Sequence, residues 1–254
     1  MDGFNADFKD EAVSSVVTKT DKELSEEFYR FIEKEFSELN YVIVDEETTA
    51  KLGKDKFARL KEAEYQFVID PIDGTQMYAL QMPCYAISVG VLKNMNPFLG
   101  AICLPATHQL IYFDGHNVHW IENFGTEAEK DIIVHKKELS PLSVIFDNSW
   151  FVKISARANL SKDTFISFYS CVVHFFYMVT ARDRGYYFGS FIWDMAGSWP
   201  MLQAMGFGFR NYVTGKLLTE CSPEDFDENL KVKDIQIVCR EEDFVHLRDI
   251  VELR

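Results

Sequence analysis

An unbroken apolar and aromatic stretch, Tyr65-Gln66-Phe67-Val68-Ile69, runs directly into Asp70-Pro71-Ile72-Asp73-Gly74-Thr75. Its length and composition read as a buried strand that delivers two carboxylates, three residues apart, to one sheet edge. Pro71 fixes the local backbone so that the two side chains can converge. Such a pair suits a hard cation such as Mg²⁺, which takes oxygen ligands. Gly74 lets the main chain approach an anion closely, and the N–H groups of the turn or helix start that follows are donors for phosphate oxygens. The hexapeptide reads equally as an ordinary acidic β-turn, since Pro, Asp and Gly are all turn residues.

Two other segments bear on that choice. Upstream, the strand-like Tyr41-Val42-Ile43-Val44 ends in Asp45-Glu46-Glu47-Thr48, a second acidic group at a strand end. Downstream, Trp193-Asp194-Met195-Ala196-Gly197-Ser198 places a carboxylate at the start of a helix. Alone, the first is also a solvated turn and the second also an N-cap.

In this order the three segments resemble those of the inositol monophosphatase family, in the superfamily that includes fructose-1,6-bisphosphatases and phosphoadenosine-phosphate phosphatases. The family's Gly-Glu-Glu motif stands here as Asp45-Glu46-Glu47. Asp-Pro-Ile-Asp-Gly-Thr is complete at 70–75, and Trp-Asp-x-Ala-Gly at 193–197. Weaker likeness at Val17-Thr18-Lys19-Thr20-Asp21, from Pro83 to Val91 and from Gly100 to Pro105 extends the resemblance over most of the chain.

The resemblance implies that Glu46, Asp70, Asp73 and Asp194 ligate Mg²⁺, or Mn²⁺, with help from the Ile72 carbonyl. It makes Thr75 the residue that orients the attacking water and the backbone of Gly74 and Thr75 the phosphate cradle. Glu47 joins Thr75 among the catalytic residues, as a lesser ligand or a support beside the metal. The implied activity is a lithium-sensitive, Mg²⁺-dependent phosphomonoesterase acting on a small, inositol monophosphate-like ester. A 3′(2′)-phosphoadenosine phosphate or sugar phosphate phosphatase is the alternative, and a homodimer the implied assembly. The implied fold is α/β (α+β): a layered α-β-α-β-α sandwich with an antiparallel sheet in the N-terminal half and a mixed sheet in the C-terminal half.

The chemistry of the residues leads the same way. Monoester hydrolysis brings a dianion to a carboxylate cluster, which is unfavourable until cations neutralise both. Two divalent ions would activate a water and stabilise the leaving oxygen, with no covalent intermediate. Cys84, Cys103, Cys171, Cys221 and Cys239 are scattered singly, with no C-x-x-C pair and no nearby His to complete a zinc set, and are expected to have no site role. His174, in an apolar run, reads as a core histidine.

Three departures from the family pattern stand out. Where the family carries an Asp two residues before the Val-Thr segment, to pair with the motif threonine, this chain has Ser15. A hydroxyl orients Thr75 but supplies no negative charge to favour proton transfer from water. The same segment lies near the chain start, so the expectation is a start placed late or a trimmed variant lacking the family's opening helices. The family's ring-contacting positions fall on Ser170, within Phe168-Tyr169-Ser170, and on Tyr187, within Tyr186-Tyr187-Phe188. An aromatic wall there suits a stacked base better than a polyol, and the same aromatics also read as core. Pro200 falls inside the helix expected after Asp194 and is expected to bend it.

Composition bounds the rest. A chain of 254 residues that is 47% hydrophobic buries a sizeable core as one domain or two intimate halves, here divided as 1–125 and 126–254. Its formal net charge of −14 argues against nucleic-acid backbones and anionic membranes. Met1-Asp2-Gly3-Phe4-Asn5-Ala6-Asp7 has neither the basic region nor the apolar core of a signal peptide, and Phe168 to Ala181 is too short to span a bilayer. The expected location is the cytoplasm.

Along the chain, Thr20-x-x-Glu23 reads as a capping box opening a helix with Leu24, Phe28, Phe31, Ile32 and Leu39 on one face. Tyr85 to Leu92, Phe98 to Leu104, Gln109 to Phe113 and Asn117 to Trp120 read as successive antiparallel strands. After the polar stretch Glu122 to Glu129, strands alternate with helices: Ser143 to Phe146, Phe165 to Ala181, Trp193 to Met205, Ile235 to Cys239 and Asp243 to Leu253. Two function classes remain, an active phosphatase and a family member that keeps metal and fold but works by binding a protein. Ser15 separates them by experiment. Ser15→Asp is expected to raise kcat with little change in KM, the mark of an interaction made in the transition state. A well-folded variant with unchanged kcat would refute it.

Overall fold

The apolar segments between Tyr41 and Val134 form one seven-stranded sheet in the computed structural model, which describes residues 6–8, 16–53, 55–140, 144–146, 152–155, 157–159 and 162–254. Ahead of the sheet, β1 (Ala6–Phe8) pairs antiparallel with β2 (Val16–Thr18), which leads straight into α1 (Lys19–Glu35). The sheet runs in chain order: β3 (Tyr41–Asp45), β4 (Tyr65–Asp73), β5 (Ala86–Lys93), β6 (Asn96–Leu104), β7 (Gln109–Phe113), β8 (Val118–Glu122) and β9 (Lys130–Val134). Helix α2 (Lys56–Glu62) lies between β3 and β4, and α3 (Thr75–Ala79) between β4 and β5. The sheet expected to be antiparallel contains one parallel pair, β3 with β4, because the α2 crossover returns the chain in the same direction.

The rest of the chain builds a smaller, mixed sheet, as expected. It comprises β10 (Val144–Phe146), β12 (Phe165–Ile166), β13 (Asp183–Phe188), β14 (Gly208–Asn211) and β15 (Gln236–Cys239), in the order β12-β10-β13-β15-β14. Strand β10 runs parallel to both its neighbours, and β15 antiparallel to both of its own. Separately, β11 (Val152–Ile154) pairs antiparallel with β16 (Val251–Leu253). The helices are α4 (Cys171–Val179), α5 (Ile192–Ala196), α6 (Trp199–Ala204) and α7 (Phe244–Asp249).

Strand alternation fixes the layers. Phe67 and Ile69 of β4 meet Ile32 of α1 on one face, while Val68 enters the main core with Val172, Met195 and Trp199 from α4, α5 and α6. The smaller sheet closes that core with Tyr186 and Phe188, and its far face meets α7 through Tyr187, Ile237 and Leu247. The order is therefore helix, sheet, helices, sheet, helix.

Three local expectations are corrected. Helix α1 begins at Lys19, so Thr20 lies in its first turn and is not the cap; its Oγ1 is 2.9 Å from the Tyr78 hydroxyl. The buried face of α1 carries Asp21 and Ser25 near its start and Ile32 near its end, whereas Phe31 is 56% exposed. Pro200 does not bend a continuous helix. The chain breaks into α5 and α6 at Gly197-Ser198, and Pro200 occupies the first turn of α6, where no intrahelical N–H is required. The stretch from Phe165 to Ala181 also divides, into β12 and α4, with Ser170 as the helix cap.

The break at Gly197 coincides with the tightest approach of helix to sheet. A Cβ at Gly100 of β6 would overlap the Gly197 carbonyl, and one at Gly197 would lie 2.9 Å from the Ala101 carbonyl oxygen. Only backbone fits between the two elements. Gly100→Ala is expected to destabilise the fold by about 1–3 kcal/mol through overpacking, read as a lower denaturation midpoint at unchanged m. An unchanged midpoint would mean that α5 and α6 can lift off the sheet at no cost.

Candidate metal and phosphate site

The strand edge that carries the central motif is held open by hydrogen bonds from both sides. Strand β3 continues beside β4 far enough for the Glu46 N–H to donate to the Ile69 carbonyl at 3.3 Å. Asp45, fully buried, fastens the turn that presents Glu46: its Oδ1 accepts from the Glu47 N–H at 2.7 Å and its carbonyl from the Thr49 hydroxyl. In β4, Gln66, Val68 and Asp70 alternate with Phe67 and Ile69, so Asp70 shares the face that meets α5. An irregularity in the β4–β5 register between Asp70 and Asp73 accompanies the placement of both carboxylates in one cleft.

That cleft, about 220 Å³, is lined by Glu46, Asp70, Ile72, Asp73, Gly74, Thr75 and Asp194, together with Gln76 and Tyr169. All the residues expected to ligate metal or hold phosphate thus come together from three distant segments. Asp194 sits in the first turn of α5, where its Oδ2 accepts from the Phe191 N–H at 2.9 Å and the Ser190 hydroxyl at 2.5 Å. Asp73 Oδ2 accepts from the Ser170 hydroxyl at 2.5 Å and the Val172 N–H at 2.6 Å. Asp70 is 1% exposed, and its Oδ1 is buried with no hydrogen-bond partner among the described residues.

Electrostatics follow from this crowding. Burial, then the charges of Glu46, Asp73 and Asp194, hold the Asp70 carboxyl well above the usual range. Glu46 lines the same cleft, and desolvation of its carboxyl there, followed by the charges of Asp194 and Glu47, holds it well above the usual range. Asp73 is pushed up to about 7, by burial first and by Asp194 second. Asp194 is raised by burial, against the opposing effect of its hydrogen bonds to Ser190 and Phe191 and of the Lys231 charge. An uncompensated cluster of this kind, with a buried orphan oxygen at its centre, matches the donor set of a hard divalent cation.

The phosphate side of the cleft is backbone. Gly74 adopts φ +84°, and a Cβ there would lie 2.9 Å from the Cys84 carbonyl oxygen and 3.1 Å from the Ser170 Cβ. The Thr75 hydroxyl donates to the Ile72 carbonyl at 2.9 Å, so its lone pairs are the part left to receive a proton donor. Ser15 lies outside the described residues.

Some expected site residues stand elsewhere. Tyr187 is fully buried on the α7 side of β13, its hydroxyl donating to the Leu247 carbonyl at 2.7 Å; alternation along the strand turns it away from the cleft. The Ser170 hydroxyl is committed twice, donating to Asp73 and accepting from the Val173 N–H at 3.1 Å, so it orients a carboxylate and does not reach toward a substrate. Glu47 does not line the cleft. It faces the neighbouring pocket with Lys22, Tyr29 and Arg30, and acts on the cleft through its charge beside Glu46. His174 is a core residue: burial lowers its pKa to about 3, and its Nε2 accepts from the Phe168 N–H at 3.2 Å.

Two groups near the cleft were not singled out as site residues from the sequence, Asp21, although it closes the Val17 to Asp21 segment of weaker likeness, and Cys171. Asp21 is 2% exposed, and its charge acts on both Glu46 and Asp70. Cys171, expected to be idle, has its sulfur grouped with carboxylate oxygens of Asp73 and Asp194, all within 4.8 Å of one another. Its neighbours lie 98 and 23 positions away in the chain, beyond the reach of spacing rules.

The family is now defined. The inositol monophosphatase family model matches residues 2–242, and the chain belongs to that family. A fructose-1,6-bisphosphatase/inositol-1-monophosphatase from Aquifex aeolicus is 38% identical over 69 residues, 27% of this chain and 23% of that protein. Nus factor SuhB of Haemophilus influenzae is 29% identical over 98 residues, 39% of this chain and 33% of that protein. The curated relatives are therefore matched over about a fifth to a third of their length. A solved structure described as a dual specific IMPase/NADP phosphatase bound with D-inositol-1-phosphate superposes with a TM-score of 0.70 at 14% identity, covering 97% of this chain and 86% of that one. It shares the fold. Among the described residues, no helix is long and apolar enough to cross a membrane.

The carboxyl shifts fix how stability depends on pH. A carboxyl that titrates at 3.8 when unfolded and at about 7 when folded, as Asp73 does, stays protonated in the fold while the unfolded chain gives up its proton. Stability of the metal-free protein is therefore present in full below the lower value and lost as pH rises through the upper one. Its melting temperature is expected to fall between about pH 4 and pH 7, and millimolar Mg²⁺ to reverse the fall at the upper end. A metal-free melting temperature that rises over this interval would contradict the assignment.

Proposed function

We propose that the protein is a divalent-metal-dependent phosphatase that hydrolyses a small phosphate monoester in the cleft between Asp70 and Asp194. The observation that carries this reading is the convergence of Glu46, Asp70, Asp73 and Asp194 beside the Gly74-Thr75 backbone. The four carboxylates and the Ile72 carbonyl would hold Mg²⁺, with Mn²⁺ as a substitute. When bound, such an ion lowers the pKa of water and neutralises phosphate charge.

The chain's own residues do the rest. Gly74 permits the close approach of backbone that a phosphate oxygen needs, and the Thr75 N–H donates to it. The Thr75 hydroxyl, its own proton given to Ile72, accepts from the attacking water and orients it toward phosphorus. Ser170 and the Val172 N–H hold one oxygen of Asp73 and leave the other for the cleft. Gln76 and the 58% exposed Tyr169 stand at the cleft and would meet the alcohol half of the ester. An inositol monophosphate-like ester is the proposed substrate, with a nucleotide phosphate as the alternative that a tyrosine ring would favour.

A second reading, a family member that works by binding a protein, draws on the likeness to Nus factor SuhB and on Ser15. Turnover decides between them. With Mg²⁺ and a panel of phosphate esters, Asp70→Asn, Asp73→Asn and Asp194→Asn are each expected to abolish nearly all activity. Double variants should be scarcely worse than single ones, since ligands of one site act as a unit. Asp194→Asn turning over the best ester at the wild-type rate would remove Asp194 from the site, and no turnover of any ester by the wild type would favour the binding role.

In the same assay LiCl is expected to inhibit where NaCl does not, because a small monovalent ion fills a Mg²⁺ position with half the charge. Equal rates would count against that arrangement.

A further inference from the structure

Cys171 opens α4 half-buried, and no step of the proposed hydrolysis uses it. Its sulfur lies within 4.8 Å of a carboxylate oxygen of Asp73 and one of Asp194, and those oxygens lie within the same distance of each other. Three donor atoms so grouped, one of them sulfur, form a different donor set from an all-oxygen cluster. Among the described residues it is the one group of three such ligands that combines sulfur with oxygen. Cys84 and Cys103 are half-buried, Cys221 and Cys239 buried, and none of these four belongs to such a group. The adjoining cleft, which Asp73 and Asp194 also line, holds the buried, unpartnered Oδ1 of Asp70, which points independently to a cation.

We propose that Cys171, Asp73 and Asp194 form a site for a thiophilic dication, Zn²⁺ or Cd²⁺, that overlaps the Mg²⁺ position and makes the phosphatase selectively susceptible to occupation by such metals. This rests on the reading of the cleft as a metal centre. Mg²⁺ takes hard oxygens and gains little from sulfur, whereas Zn²⁺ and Cd²⁺ bind thiolate strongly. On binding, the sulfur–metal bond forms as the thiol proton leaves to solvent, with no change of oxidation state. The Tyr186 hydroxyl, 3.2 Å from the sulfur and itself 2% exposed, is placed to donate to the resulting thiolate and fix its direction. Ser170 and Val172 N–H already orient Asp73, and Ser190 and Phe191 N–H orient Asp194, so two of the three ligands are set before any metal arrives. A soft ion seated there would take two carboxylates that hydrolysis needs, and inhibition would follow.

The test uses the full chain with Zn²⁺, Cd²⁺ and Mg²⁺ as probes. Zinc-edge X-ray absorption of the wild-type protein carrying one equivalent of Zn²⁺ is expected to show one sulfur at about 2.3 Å among oxygen ligands. Cd²⁺ should raise a thiolate-to-metal absorption band in the ultraviolet that Cys171→Ser loses, although four other cysteines remain. By calorimetry, the ratio of Zn²⁺ to Mg²⁺ affinity should fall by about tenfold or more in Cys171→Ser. An oxygen-only zinc shell in the wild type, or a Cd²⁺ band that survives Cys171→Ser, would overturn the proposal, and the wild-type spectrum does so even should the variant fail to fold. Mg²⁺ binding by the wild type separates the outcomes: intact Mg²⁺ binding with an oxygen-only zinc shell removes Cys171 alone, while loss of all divalent binding removes the metal centre itself.

Discussion

Four carboxylates that repel one another are kept in one cleft by packing that has nothing to do with charge. Asp70 and Asp73 belong to a strand of the large sheet and Asp194 to a helix in the layer above it, so the height of that helix over the sheet sets their separation. Gly100 and Gly197 reduce that height to backbone against backbone. The apolar core around Met195 and Trp199 supplies the cohesion that outweighs the repulsion. A cation bound there would relieve a repulsion that the fold has already accepted.

The hydrogen bonds around the cleft fix one oxygen of Asp73 and one of Asp194. Asp73 and Asp194 each give one oxygen to a serine hydroxyl and a backbone N–H from their surroundings. Pre-orientation of this sort limits the reorganisation needed when a ligand arrives. The serines involved, Ser170 and Ser190, thereby act on the cleft through the aspartates they hold.

Much of this was readable from the chain. The strand before Asp70, the strand before Asp45 and the helix start at Trp193 are continuous local patterns, and local patterns survive folding. The layer order followed from resemblance and the lining of the cleft from three motifs. Tyr187 was misplaced because a strand sends neighbouring side chains to opposite faces, and which face meets the cleft is decided by packing against α7. Ser170 looked like a substrate contact because its role depends on Asp73, 97 positions away. Cys171 was dismissed by a rule about cysteine spacing that looks for sulfur and imidazole partners and passes over carboxylates from other elements. Pro200 does not bend the helix after Asp194 as expected but stands in the first turn of a new one. The pair β3 and β4 was parallel because of α2, a short helix with few apolar residues to announce it.

The hydrogen bonds from Ser170 and the Val172 N–H to Asp73 also carry a consequence for how the chain reaches its native state. They close loops of 97 and 99 residues, and Asp194 joins the cluster from further still. Contacts of such sequence separation form late, after the entropy of closing the loop has been met. Nascent chain emerging through the large sheet alone would expose Asp70 and Asp73 without their donors and without Asp194. The cleft is assembled only when the smaller sheet and its helices dock, so any metal it takes would report that the two sheets have come together.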